Sequence, residues 1–441
     1  MNNLIQPRIL KGFRDFLPNS EIQRTTLTEK ITKVYRSFGF VPIDTPVLEY
    51  TEILLRKSNG ETEKQVFRFE DNGGRDVAMR FDLTVPFARF TAEHKDEIYF
   101  PFKRYHVAKV WRGEKPQAGR YREFVQCDVD IVGSDSAASD FEILNVMKCA
   151  FKEIGVENIT IHVNHRGIFN RFLNTLGDID KSEDINSSVD KLAKVGKDEV
   201  FKELCEYTQD EEKSSKIIEY ISSTGSFLEI LDKIESLAGG KDKDSERMRE
   251  IYMMMQASGI EKFYVLDPSI TRGLDYYTGV VYETFLNDLP SIGSVCSGGR
   301  YDNLAGLYMK EKVPGVGVSI GLDRLIAGLE QLGQTQQKGS YLDVEIYCLD
   351  AKNAIHYQKV ASELRANDIC VEVFPDAKKM AQQYAVTTAK CVPWGILISE
   401  EEIKNNTFTL KNLSTREMFT DMTVEKAVKI RQHHEKLGSL S

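Results

Sequence analysis

The sequence predicts an α+β protein: an antiparallel sheet with one polar working face, a lysine- and acid-rich helical insertion, and a separate alternating α/β domain at the C-terminal end. Three observations carry that prediction. The stretch FKRYHVAKVWRGEKPQAGRYREFVQCDVDIV, Phe102 to Val132, reads as two long strands joined by a basic loop from Gly113 to Tyr121. QVFRFEDNGGRDVAMRFDLTVPFARF repeats the pattern around the turn Asn72-Gly73-Gly74. Beyond QTQQKGS, strand-like and helix-like segments alternate in short units.

Taken in order, Leu27, Ile31, Val34, Tyr35 and Phe38 fall at helical spacing within residues 22–38. Gly39 stops that helix, and Pro42 and Pro46 make GFVPIDTPVLEY an edge strand that a partner chain can cover. In the next hairpin Arg80, Asp82 and Thr84 alternate with Met79, Phe81, Leu83 and Val85, which places the three polar residues on one strand face. The long hairpin alternates in the same way. Val125, Cys127, Val129 and Ile131 face a core, while Phe124, Gln126, Asp128 and Asp130 face out, with Arg112, Arg120 and Arg122 at the loop end. A helix over 138–154 and a strand at Ile159–His165 follow. From about 172 to 260 the composition turns to Lys, Asp, Glu and Ser with helical stripes such as Met248, Ile251, Tyr252 and Met255, read as an inserted helical subdomain or further helical cover of the main fold. Strands resume at KFYVLDP, and GVGVSIGLDRLIAGLEQLG runs from a strand into a helix. Residues 334–341 read as a linker, and 342–441 as strand, helix, strand, helix, strand, hairpin and a final helix.

Composition excludes several classes. No apolar run approaches the ~18 residues of a membrane span, and the N-terminus lacks a secretion or transit signature, so a cytoplasmic location is expected. Seven dispersed cysteines without a CxxC pair fit free thiols rather than disulfides or a zinc site. A net charge of −9 says little about nucleic acid, because binding depends on local basic surface.

For chemistry, there is no GxxxxGK[ST] loop, and Gly315-Val-Gly317 with Gly321 misses the dinucleotide fingerprint by one residue. Phosphate is left to arginine: Arg112, Arg120, Arg272 and Arg324, each near a strand end or a glycine. No nucleophile elbow and no Cys/His pair in sequence proximity stand in the chain, so the expected reaction runs on positioning and electrostatics. TRGLDYYTG sets Arg272 and Asp275 beside Tyr276 and Tyr277. A tyrosine and an aspartate can satisfy both nitrogens of an imidazole, though a strand pair with packed tyrosines fits equally. The glycines of CSGGRYDNL serve either a tight turn or the close approach of a ligand.

These peptides carry a resemblance. GFVPIDTPVL with Pro46, the Arg112, Glu114, Arg120, Phe124, Asp128 series, and GVGVSIGLDRL with Arg324 resemble motifs 1, 2 and 3 of class II aminoacyl-tRNA synthetases. RGLDYYTG, CSGGRYD, GFRDFLP and the α/β tail are similar to the histidyl-tRNA synthetase family in particular. Asp323 stands where motif 3 usually has Glu; Asp82 and Asp130 stand where many bacterial members carry Glu, and Asp82-Leu-Thr84 looks like the eukaryotic-type variant. The resemblance implies a class II catalytic domain over 1–333 and an anticodon-binding domain over 342–441. It implies ATP and L-histidine as substrates with Mg²⁺, tRNA(His) as acceptor, and a homodimer paired through the motif-1 strand. By resemblance Arg112 and Arg272 are catalytic; Asp82, Thr84, Gln126, Asp130, Tyr276 and Tyr277 bind histidine; and Arg112, Glu114, Arg120, Phe124 and Arg324 bind ATP. Glu114 faces adenine or Mg²⁺, and no metal ligands are assigned. The alternative is a catalytically inactive synthetase-like regulatory or sensor protein, which keeps the fold and loses part of this set.

Overall fold

The structure is a computed structural model that describes residues 4–55, 60–117, 119–271, 276–335 and 338–430. It divides into two units, Met1–Arg14 with Leu27–Gln334, and Asp15–Thr26 with Thr335–Ser441.

An eight-stranded sheet organises the first unit, in the order Val41–Pro42, Phe102–Trp111, Glu123–Val132, Gly315–Gly321, Cys296–Arg300, Val280–Leu286, Ile159–His165 and Tyr264–Leu266. The two outermost pairings are parallel and the rest antiparallel. The long hairpin forms as expected, in unbroken register from Phe102 opposite Val132 to Trp111 opposite Glu123. Its alternation holds as well: Val125, Cys127, Val129 and Ile131 lie in the core, with Ile143, Met147 and Phe151 of the Ala137–Glu153 helix in the same buried cluster. Val41–Pro42 is an edge strand, as its prolines required.

The shorter hairpin departs from expectation. Arg68–Glu70 and Asp76–Met79 pair as predicted, but with Leu48–Tyr50 they form a separate three-stranded sheet. Asp82 and Thr84 are therefore not on a strand of the working sheet. The strand ends at Met79, and Thr84 opens the Thr84–Glu93 helix. Asp82 Oδ1 accepts the Val85 N–H at 3.0 Å, satisfying a donor that the first helical turn leaves open. Pro86, without an N–H, is tolerated in that turn and not in a continuing strand.

Between His165 and Tyr264 the described residues form helices and no strand, starting with Arg166–Leu176 and ending with Lys243–Ala257 and the short 3-10 turn Glu261–Phe263. Their apolar side chains, Ile185, Leu204, Ile217, Leu231 and Ile251 among them, are continuous with the core beneath the sheet. The helical region thus shares the main core instead of burying one of its own.

The second unit has a five-stranded sheet ordered Val371–Val373, Val344–Ile346, Trp394–Leu397, Phe408–Asn412, Met418–Met422, with the first three parallel and the hairpin antiparallel. A short helix, Glu400–Asn405, was not anticipated; Ser399 and Glu402 form a capping box at its start.

Candidate active site

The Glu123–Val132 strand floors two adjoining cavities, of ≈ 220 and ≈ 210 Å³, whose common walls are Arg112, Gln126, Ser297 and Ser319. Together they make one cleft with two chambers.

The first chamber gathers Arg112, Glu114, Arg120, Phe124 and Arg324, all selected from sequence. Arg324 Nη1 donates to the Ser294 carbonyl at 2.7 Å, and Arg112 Nε to the Phe81 carbonyl at 3.0 Å. The Arg112 guanidinium carbon stands 5.2 Å from the centre of the Phe124 ring. Glu114 reaches Arg120 at 3.6 Å and Arg112 at 3.9 Å, one carboxylate among three guanidiniums. Burial, then the nearby Arg120 and Arg112, push the Arg324 pKa down to about 10. Such a concentration of unneutralised positive charge suits a polyanion. Gly119, at φ +70, brings the loop backbone against Arg324, where a Cβ would come to 3.3 Å from the Arg324 Cγ.

A strap from the N-terminus fixes this loop. The Arg122 N–H donates to the Gly12 carbonyl at 2.8 Å, and the Arg14 guanidinium stacks 3.8 Å over the Tyr121 ring and pairs with Asp323. The other Asp323 oxygen accepts the Val125 N–H at 2.7 Å. Asp323 is thus a brace between hairpin and helix. Sequence reasoning noted the 12–18 peptide but not this function. Arg14's partners lie far along the chain, so no local pattern reveals them.

The second chamber is acidic and buried. Asp82, Thr84, Gln126, Asp128, Asp130, Tyr276, Tyr277 and Tyr301 line it. Tyr276 donates to Asp82 Oδ2 at 3.0 Å, and Tyr301 to Asp130 Oδ1 at 2.6 Å. Asp130 also pairs with the fully buried Arg104 at 2.7 Å, and Gln126 Nε2 donates to Ser319 Oγ at 2.7 Å. Burial raises the pKa values of Asp82 and Asp130; the Val85 N–H and Arg112 oppose it at Asp82, Arg104 at Asp130. The phenols of Tyr276 and Tyr277 are also raised, first by burial and then by neighbouring carboxylates, so both are neutral donors at ordinary pH.

Several predicted residues are thus brought together, though Asp82 and Thr84 arrive from a helix start and not from a neighbouring strand. Arg272 and Asp275 lie outside the described residues. Tyr301 and Arg104 were missed. Arg104 stands opposite Asp130 in the hairpin register, so correct pairing would have found it. Gly315 and Gly317 have their reason here rather than in phosphate binding. A Cβ on Gly317 would meet Asp130 Oδ1 at 1.9 Å, and one on Gly315 the Tyr301 ring at 2.4 Å. Gly298, in CSGGRYD, makes no turn; a Cβ there would strike the Gly317 carbonyl at 2.2 Å and Tyr282 at 2.6 Å.

Comparison with known proteins fits this geometry. A family profile described as "Histidyl-tRNA synthetase" matches residues 12–325, and one described as "Anticodon binding domain" matches 343–433. The chain belongs to the histidyl-tRNA synthetase family. It is 61% identical over 407 residues to the "Histidine--tRNA ligase" of Treponema denticola, covering 91% of both, and 53% identical over 424 residues to that of Treponema pallidum, covering 94% of this chain and 96% of the relative. The crystal structure of histidyl-tRNA synthetase from Nostoc sp. PCC 7120 superposes with a TM-score of 0.88 at 29% identity over 98% of this chain and 100% of that one. A Bacillus halodurans structure titled as an ATP phosphoribosyltransferase regulatory subunit/histidyl-tRNA synthetase shares the fold at TM-score 0.73 and 21% identity, over 86% of this chain and 97% of that one. The chain is an ATP-dependent aminoacyl-tRNA ligase that joins histidine to tRNA(His), and nothing favours the inactive alternative. The relatives named here are bacterial, and the eukaryotic-type expectation finds no support in them.

Proposed function

We propose that the two chambers divide the adenylation reaction, ATP in the cationic one and histidine in the acidic one, with Arg112 serving both. The carrying observation is that Arg112 lines both cavities. The histidine carboxylate attacks the α-phosphorus in line; the new O–P bond forms as the α,β-anhydride bond breaks, and pyrophosphate leaves with its electron pair. Arg112 and Arg272 stabilise the charge that gathers on the α-phosphoryl oxygens. Phe124 and Arg324 sandwich the adenine, Arg120 holds the phosphate tail, and Glu114 contacts adenine or the metal. Asp82, Thr84 and Gln126 take the α-ammonium, with Tyr276 holding Asp82 in place; Asp130 and Tyr277 face the imidazole. A terminal ribose hydroxyl of tRNA(His) then attacks the activated carbonyl and AMP departs.

Mg²⁺ enters as the ATP complex, held chiefly by phosphates. Among the described residues no group of three or more His, Cys, Asp or Glu is placed to hold a metal alone. The proposed assembly is a homodimer through the Val41–Tyr50 edge, where Val41, Val47, Leu48 and Tyr50 are exposed. Residues 1–333 form the catalytic domain with its helical insertion at about 172–260, 334–341 the linker, and 342–441 read the anticodon. Among the described residues no helix is long and apolar enough to cross a membrane, and the proposed location is the cytoplasm.

The test is pyrophosphate exchange into ATP with each amino acid in turn, on wild type and Arg272→Ala. Histidine alone should support exchange, and the variant should abolish it while keeping its circular dichroism. Exchange near wild-type in the variant overturns the role of Arg272.

A further inference from the structure

One acid of the second chamber has no role in this scheme. Asp128 sits between Gln126 and Asp130 on the same strand face, 2% exposed, and its Oδ1 has no hydrogen-bond partner among the described residues. In register it faces His106 on one neighbouring strand and Ser319 on the other. An unsatisfied buried carboxylate oxygen at the wall of a ligand cavity is costly unless something completes it.

The charges around it show what is missing. Asp82, Asp128 and Asp130 face two cations, Arg104, already paired with Asp130, and Arg112. His106 adds none, because burial and then Arg104 and Arg80 push its pKa down to about 4. The other titratable groups around Asp128 are Arg80, Tyr35, Tyr277 and Cys296, the last three raised and neutral. Arg80 is committed elsewhere, to Asp44 at 3.7 Å and to the Thr45 carbonyl at 2.6 Å, so the three aspartates share the two guanidiniums of Arg104 and Arg112. Burial first, then Asp130 and Asp82, against the opposing Arg104 and a hydrogen bond from the Ser319 hydroxyl, push Asp128 up to about 7, so near neutrality a proton supplies the missing charge.

We propose that Asp128 is a specificity-determining residue that gives this proton to the imidazole of incoming histidine and then serves as counter-ion to the imidazolium. The carboxyl O–H bond breaks, the oxygen keeps the electron pair, and an N–H bond forms on the ring nitrogen. An imidazole, with an ordinary pKa of about 6.5, is shifted upward among carboxylates and accepts readily. A glutamine or asparagine side chain offers similar donors but is no base, leaves the proton on Asp128, and gains no ion pair. The chamber thus selects basicity as well as shape. This inference rests on placing histidine in the acidic chamber.

The test is ¹⁵N NMR of ring-labelled histidine bound to the full chain at pH 7.5, where the free ring is mostly neutral. Both ring nitrogens should report imidazolium in wild type and in Glu283→Gln, which alters the chamber's other strongly raised acid. In Asp128→Asn the ring should become neutral, and the histidine KM in pyrophosphate exchange should rise about tenfold, one pKa unit of lost pairing, with the ATP KM unchanged. Asp128→Ser serves if the asparagine variant does not fold. A neutral ring in wild type, an imidazolium that persists without Asp128, or one lost in Glu283→Gln overturns the proposal. Asp130→Asn separates the two levels. If it raises the histidine KM and the Asp128 variants do not, only this inference fails; if it too leaves KM unchanged, histidine is misplaced.

Discussion

The two chambers share a floor and solve opposite electrostatic problems. In the cationic chamber, arginines crowd together with one glutamate between them, and Arg120 and Arg112 remain partly exposed. Their charges oppose one another until an anion arrives, so the ligand completes the site. In the acidic chamber Asp130 and Asp82 have partners inside the fold, Arg104 for the first and Tyr276 with a backbone N–H for the second. A flexible polyanion can be held by arms that adjust. A small zwitterion must be discriminated from close analogues, which requires groups fixed before binding.

The contrast can be broken most severely at the group common to both chambers. Arg112→Ala should cut pyrophosphate exchange about 10³-fold, the scale for losing a preorganised donor at developing charge, with both KM values disturbed. A rise in only one KM would show that the chambers do not share it. Gly317→Ala drives a methyl into Asp130. The expected result is a histidine KM raised at least about tenfold with a nearly constant ATP KM, and a stability loss of about 1–3 kcal/mol from overpacking, read by thermal melting. An equal rise in both KM values would deny that the acidic chamber is independently fixed.

Arg120→Ala should act more mildly, because its side chain is half-exposed and screened: the ATP KM rises about threefold and loses part of its salt dependence. A smaller effect concerns stability. Burial, then Arg247 and Arg300, hold the His165 pKa down to about 3, while the unfolded value is about 6.5. The native state therefore binds fewer protons than the unfolded chain below pH 6.5, and this group's contribution is present above that pH and lost as pH falls toward 3. Melting temperatures of wild type and His165→Asn should converge from pH 7 to pH 5; parallel curves would count against a neutral buried imidazole.

What the sequence revealed follows the range of the forces involved. The long hairpin was legible because its alternation runs unbroken for a full strand on each side. The arginine cluster was legible because arginines beside glycines mark a loop. The placement of Asp82 and Thr84 failed because the same alternation continued past Met79, where Asp82 and Pro86 switch the chain to a helix start; D-x-x-V-P carried that signal. The helix at Glu400–Asn405 was hidden in plain sight by its own Ser-x-x-Glu box. Arg104, Tyr301 and the Arg14 strap depend on register and on contacts between distant segments, which a single sequence states only through its fold. Asp128 was visible as part of an acidic row; its missing partner emerged only when its neighbours were in place.

The Arg14–Asp323 brace has a consequence for synthesis of the chain. The walls of the cationic chamber come from the hairpin, residues 294–297 and the strand–helix junction at Gly321, while Gly12 and Arg14 brace its loop. While the ribosome is still making the helical region, the loop arginines lack both the clasp that shapes them and the Arg324 wall. A nascent chain therefore has no finished cationic chamber until residue 324 has emerged.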